Sequence, residues 1–86
     1  LEYKITFKKS VLKDLQQIDG KKVKNILHKI ETVLTQNANK YPSLKWKFNK
    51  LRKYRVGEYR IIYSIINDDT VMILRIAHRK EVYRKN

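Results

Sequence analysis

No cysteine occurs in the 86 residues, which removes both a disulfide framework and thiolate chemistry. Proline appears once, at Pro42, and glycine twice, at Gly20 and Gly57, so each marks a break in an otherwise regular chain. No apolar run approaches the length that spans a bilayer, and the first residues lack the basic, then apolar, then small pattern of a signal peptide. A cytosolic protein with no membrane association is expected. Acidic residues are scarce too: 8 Asp and Glu stand against 21 Lys and Arg, for a formal net charge of +13. Such an excess implies a polyanionic partner. At this length the chain holds one domain, residues 1–86, built on one core to which a hydrophobic content of 42% is sufficient.

What is present is concentrated between Lys50 and Tyr63. In Val56-Gly57-Glu58-Tyr59, glycine takes the first central position of a two-residue turn, where a type II′ hairpin requires positive φ. That turn sets Val56 opposite Tyr59, Arg55 opposite Arg60, Tyr54 opposite Ile61 and Lys53 opposite Ile62. Alternation then gives one face to Tyr54, Val56, Tyr59, Ile61, Tyr63 and Ile65, and the other to Lys53, Arg55 and Arg60. Like charges set directly across from each other are destabilising by roughly a few tenths of a kcal/mol. A hairpin that needed only to fold would not pair Arg55 with Arg60.

Around this hairpin the chain reads as an α+β domain. Leu1 to Phe7 alternates as a half-buried strand with Tyr3, Ile5 and Phe7 on one side. Ser10 is the expected N-cap of a short helix with Val11, Leu12, Leu15 and Ile18 on its apolar side, and Gly20 its expected end. From Lys21, the stripe Val23, Ile26, Leu27, Ile30, Val33 and Leu34 marks a second helix, antiparallel to the first, and both stripes face one sheet. His28 lies off that stripe, and neither Glu31 nor Thr32 completes a metal-like pair with it, so no metal site is expected. From Gln36 to Lys47 the period is lost, in a connection that Leu44, Trp46 and Phe48 would tether to the core. Trp46, between Lys45 and Lys47, reads as packing, with base stacking the alternative. Beyond the hairpin, an Asp68-Asp69 two-residue turn would pair Arg60 with Ala77, put Arg75 on the cationic face and send Met72, Leu74, Ile76 and His78 inward. A three-residue turn would drive Arg75 into the core. His78 reads as a core or edge residue rather than a base. The expected fold is thus an N-terminal strand, an antiparallel helix pair and a three-stranded antiparallel meander, with the helices on one face of a twisted sheet.

This order, together with Arg-Val-Gly-Glu-Tyr-Arg-Ile-Ile-Tyr at residues 55–63 and Ile-Ala-His-Arg-Lys-Glu-Val-Tyr at residues 76–83, resembles the RelE/ParE superfamily of bacterial and archaeal toxins. The likeness extends over nearly the whole chain and leans to the RelE branch, whose members cleave messenger RNA in the ribosomal A site and are neutralised by a RelB-type antitoxin. The resemblance implies catalytic roles for Lys53, Arg55, Arg60, Arg79 and Tyr83. Lys47, Lys50, Arg52, Arg75, Lys80 and Arg84 are the further cations expected to hold RNA. It implies the ribosome and mRNA as partners, an acidic RelB-like antitoxin, and no cofactor. The sequence departs from members with a Glu and His couple, having no Glu near Lys53 on its strand and no terminal His beside Tyr.

The chemistry fits that departure. Cleavage by the RNA's own 2′-hydroxyl needs a base, in-line alignment, charge stabilisation and a proton for the 5′-oxygen. Arginine stays protonated but its planar fork suits phosphate, which makes Arg55 and Arg60 clamps. Lys53, crowded by both, is the candidate base through the like-charge effect on its pKa. Tyr83 would stack on a base or orient the 2′-hydroxyl, and Arg79 would hold phosphate or give a proton. Two other readings use the same residues: a ParE-like inhibitor that docks on DNA gyrase without catalysis, and a basic nucleic-acid-binding module.

Overall fold

The computed structural model describes residues 2–82. Strand β1, Lys4–Phe7, is followed by helix α1, Val11–Gln16, and helix α2, Gly20–Lys29. Helical backbone continues from α2 through a wider π turn, Ile30–Leu34, and a last α turn, Thr35–Asn37. Thr32 and Thr35 donate their hydroxyls to the carbonyls of His28 and Glu31 four residues back, a local bond that loosens the regular ladder where the π turn sits. Strands β2, Leu51–Val56, β3, Tyr59–Ile66, and β4, Thr70–His78, form the meander, and a short α3, Arg79–Val82, follows. The sheet order is β1-β4-β3-β2, with β1 parallel to β4 and the other pairs antiparallel.

The expected helical stripe is the one buried. Ile26, Ile30 and Leu34 meet Val56, Ile61, Tyr63, Val71, Ile73 and Ile76 in one core, to which α1 adds Val11. Leu12, expected on that side, faces solvent. The junction between the helices also differs from expectation. Ser10 is already helical and caps nothing with its side chain, whereas extended Asp19 accepts from the Lys21 amide at 3.2 Å, so Gly20 opens α2 instead of closing α1. An aspartate before an amphipathic run is the stronger signal, because it satisfies an amide that the helix start leaves without a partner. Asp14 of α1 reaches β4 beyond the end of β1, where its Oδ2 accepts from the Ile76 amide at 2.9 Å and lies 3.5 Å from Arg75 Nε.

The β2–β3 register is the expected one at every position from Lys53 to Val56, and Gly57 has φ +58°. The β3–β4 turn is not. Ile66 pairs with Thr70, so Asn67, Asp68 and Asp69 make a three-residue connection, in which Asn67 and Asp68 adopt the left-handed conformation that Asn and Asp tolerate. A bulge then leaves Leu74 unpaired, since Ile62 faces Arg75 while Tyr63 faces Ile73. Before the bulge Val71 and Ile73 enter the core in place of Met72 and Leu74, and after it Ile76 does. The extra residue cancels the longer turn, so Arg60 still pairs with Ala77 and Arg75 still faces solvent.

Residues 42–44 run along the outer edge of β2. Leu44 N–H donates to the Leu51 carbonyl at 2.8 Å, Lys53 N–H donates to the Pro42 carbonyl at 3.1 Å, and Ser43 bridges to Arg52. Besides Leu44, the connection is tethered by tyrosines and not by Trp46 and Phe48, the other residues expected. Tyr63, with 0% exposure, donates its hydroxyl to the Ala38 carbonyl at 2.6 Å, and Tyr41 packs on Tyr54 with ring centroids 4.7 Å apart. Leu44 is half-buried, but Trp46 is 86% and Phe48 51% exposed.

Candidate functional site

Pairing at the β2 edge gathers cations. Lys53, Arg55 and Arg60 line a cleft of about 380 Å³ together with Tyr41, Pro42 and Tyr54. Lys53 and Arg60 are half-buried and Arg55 is exposed, with its Nε donating to the Gly57 carbonyl at 2.9 Å. That bond ties one guanidinium to the hairpin tip, so two like charges face each other across β2 and β3 without splaying freely. The aromatic floor was not expected. Tyr54 alternates onto the core face, but β2 is the last strand of the sheet, so its ring reaches the rim, where Tyr41 meets it. Burial, and secondarily Tyr41, raise the Tyr54 pKa above its ordinary value, so its hydroxyl holds its proton. No periodicity marks Tyr41, which lies in an irregular stretch, whereas the edge position of Tyr54 was implicit in the hairpin.

The other expected cations are elsewhere. Arg52 pairs with Tyr63 across β2 and β3, on the side opposite Lys53 by simple alternation. Its Nη1 donates to the carbonyls of Tyr41 at 2.5 Å and Asn39 at 3.4 Å, so it fixes the loop that forms one wall of the cleft. Arg75 faces Asp14 in a second hollow of about 360 Å³ that Lys13, Gln17, Tyr59 and His78 also line. Arg79 and Lys80 are exposed at the start of α3, where the Arg79 amide donates to the Glu58 carbonyl at 2.7 Å and so joins the chain end to the hairpin tip. His78 is an edge residue, its ring edge-on to Tyr59 at 5.4 Å and its Nε2 3.7 Å from Glu58. Lys47 and Lys50 are exposed on the loop before β2. Tyr83 and Arg84 lie outside the described residues.

Matches to known proteins place the chain among the toxins of type II toxin-antitoxin systems. Residues 5–83 match the family model of the ParE toxin of the type II toxin-antitoxin system, parDE. Toxin RelE3 of Methanocaldococcus jannaschii is 37% identical over 86 residues, covering 93% of this chain and 94% of that protein. Putative toxin RelE1 of the same organism is 29% identical, covering 100% and 99%. A chain of the RelB-RelE antitoxin-toxin complex from Methanococcus jannaschii superposes with a TM-score of 0.66 at 35% identity, over 91% of this chain and 94% of that one. The RelBE2 complex of Mycobacterium tuberculosis contains a chain of the same fold, with a TM-score of 0.84 at 23% identity, over 92% and 100%. The chain belongs to the ParE-toxin family within the RelE/ParE superfamily, and its relatives are RelE toxins. Among the described residues no helix is long and apolar enough to cross a membrane.

Proposed function

We propose that this toxin is a ribosome-dependent endoribonuclease that cuts messenger RNA in the A site and so blocks translation. The observation that supports it is the convergence of Lys53, Arg55 and Arg60 on one tyrosine-floored cleft. In this reading the planar forks of Arg55 and Arg60 bind the scissile phosphate and stabilise the charge that grows on it. Lys53, which lines the cleft beside them, takes the 2′-hydroxyl proton. The 2′-oxygen then attacks phosphorus, the bond to the 5′-oxygen breaks, and a 2′,3′-cyclic phosphate is left. The departing 5′-oxygen receives a proton from Tyr54, which lines the same cleft and whose hydroxyl is protonated at neutral pH. A cleft this poor in ordinary acid and base groups relies on the ribosome for in-line alignment, which accounts for an activity confined to ribosome-bound message.

Neutralisation by a RelB-like antitoxin fits the same face. An acidic segment, disordered alone, would fold along the cationic strands and cover the cleft, as charge pairs and apolar contacts offset its ordering entropy. The structural relatives include toxins solved with RelB.

The test is end mapping in a translating extract. Wild type yields new 5′ ends at A-site codons, and Lys53→Ala and Arg60→Ala each lower their yield by at least about a hundredfold, the usual scale for losing one acid-base or charge-stabilising group. The match to the ParE model favours one second reading, gyrase inhibition by docking. Relaxed plasmid accumulating in a supercoiling assay, with no new 5′ ends, would establish that reading instead.

A further inference from the structure

The turn Trp46–Phe48 belongs neither to the cleft nor to the core. Its two aromatic side chains stand in solvent and alternate along the chain with Lys45 and Lys47, and the four residues line an open hollow of about 670 Å³. Lys47 Nζ lies 5.4 Å from the centroid of the Phe48 ring, which holds the cation against the aromatic surface. Trp46 also has φ +65°, a left-handed backbone that a bulky side chain rarely adopts. Exposure and strain together are a double cost that burial does not offset, and such costs gather at ligand clamps.

We propose that this knuckle is a stacking platform for an unpaired base of single-stranded RNA, namely the message nucleotide adjacent to the bond cut in the cleft. The inference rests on the RNA-cleavage reading and adds a second contact to it. The chemistry discriminates among occupants. Cores of protein interfaces are depleted in lysine, whereas half of this hollow is lysine and Lys50 follows closely in sequence. Aromatic faces set between cations are the arrangement that takes a base and its phosphate together. Position agrees as well. The Leu44–Leu51 and Pro42–Lys53 hydrogen bonds root the turn on β2. At about 3.3 Å per strand residue, Leu51 lies roughly 7 Å from Lys53 and roughly 13 Å from Arg55. An RNA strand following β2 therefore meets cleft and knuckle in succession.

Trp46 is the single tryptophan of the chain, so emission excited at the red edge, where the tyrosines do not absorb, reports on this position alone. An unstructured oligoribonucleotide is expected to quench it, and an abasic strand of equal length is not. Trp46→Ala should weaken oligonucleotide binding roughly five- to hundredfold, and Trp46→Phe should recover part of that loss. Circular dichroism checks that both variants fold, and the phenylalanine variant carries the test if the alanine one does not. On ribosomes, a message abasic at the nucleotide flanking the cut should lower wild-type cleavage to the Trp46→Ala level and leave the variant indifferent. Equal losses for the variant on intact and abasic messages would assign the platform to ribosomal RNA and overturn the proposal. So would equal quenching by the abasic strand, unchanged affinity in Trp46→Ala, or an emission change that follows protein concentration alone. Base-dependent quenching without cleavage would strike the nuclease reading and leave the platform, whereas cleavage without quenching would strike the platform alone.

Discussion

Tyr63 brings a hydroxyl into a core otherwise made of aliphatic side chains, and its bond to the Ala38 carbonyl is what makes that tolerable. Burial pushes its pKa up to about 12; Arg52 opposes the shift, and Tyr41 and Tyr3 add to it. Below pH about 10 the phenol is protonated in folded and unfolded chains alike, and its contribution is fully present. Above that the unfolded chain ionises first, so stability falls as pH rises towards 12, by roughly 3 kcal/mol from this group. Tyr63→Phe should cost about 1–3 kcal/mol at neutral pH, because the Ala38 carbonyl loses its partner. It should also remove this group's share of the alkaline loss and leave the share due to Tyr54. Urea unfolding of both proteins at neutral and alkaline pH checks both. Arg52→Met should likewise cost about 1–3 kcal/mol by stripping the donor from the Tyr41 and Asn39 carbonyls. Hydrogen exchange should show the loop of residues 38–44 opening more readily in that variant.

At the scale of the element, the β2–β3 hairpin sets function against stability. Arg55 directly opposes Arg60, so Arg55→Glu should exchange repulsion for attraction and raise stability by about 0.2–1 kcal/mol, read as a higher denaturant midpoint. In the proposed mechanism the same change abolishes cleavage, because a carboxylate repels the phosphate. A stabilised but inactive variant would show that the pair is kept for its ligand. This hairpin was legible in the sequence because Gly57 fixes both turn and register. The β3–β4 pair was not, because an Asn67-Asp68-Asp69 turn and a bulge at Leu74 are two departures whose effects cancel at Arg60. Arg75 therefore lies outside for a different reason from the expected one. Hydrophobicity misplaced Trp46 and Phe48 for a further reason: ring size says only that burial is favourable, and both rings stand on a short turn that no core element covers. The long helix was legible because its stripe is unbroken from Val23 to Leu34; its start was misjudged, where Asp19 outweighs Gly20, and neither the π turn at Ile30–Leu34 nor the helical turn to Asn37 leaves a mark in that stripe. In the cleft, alternation found Lys53, Arg55 and Arg60, but Tyr41 arrives from a distant irregular segment that no local pattern could bring to β2.

The whole molecule acts as a polycation with an uneven surface. Its charge of +13 draws any nucleic acid, so affinity alone cannot separate the cleft from the background of exposed lysines. Salt dependence can. If about five phosphates of a single strand are neutralised, log affinity should fall against log salt with a slope of roughly −3.5. Arg60→Ala removes a phosphate ligand in the proposed mechanism and should make that slope shallower by roughly 0.7, as should Lys53→Ala. Trp46→Ala should lower affinity at every salt concentration and leave the slope where it was, since stacking releases no counterion. Fluorescence anisotropy of a labelled oligoribonucleotide across a salt series measures all four proteins in one experiment. Parallel lines for wild type and Arg60→Ala would mean that this guanidinium meets no phosphate in the bound state. The charge would then serve only to steer the encounter, and cleavage would have to be organised around other residues.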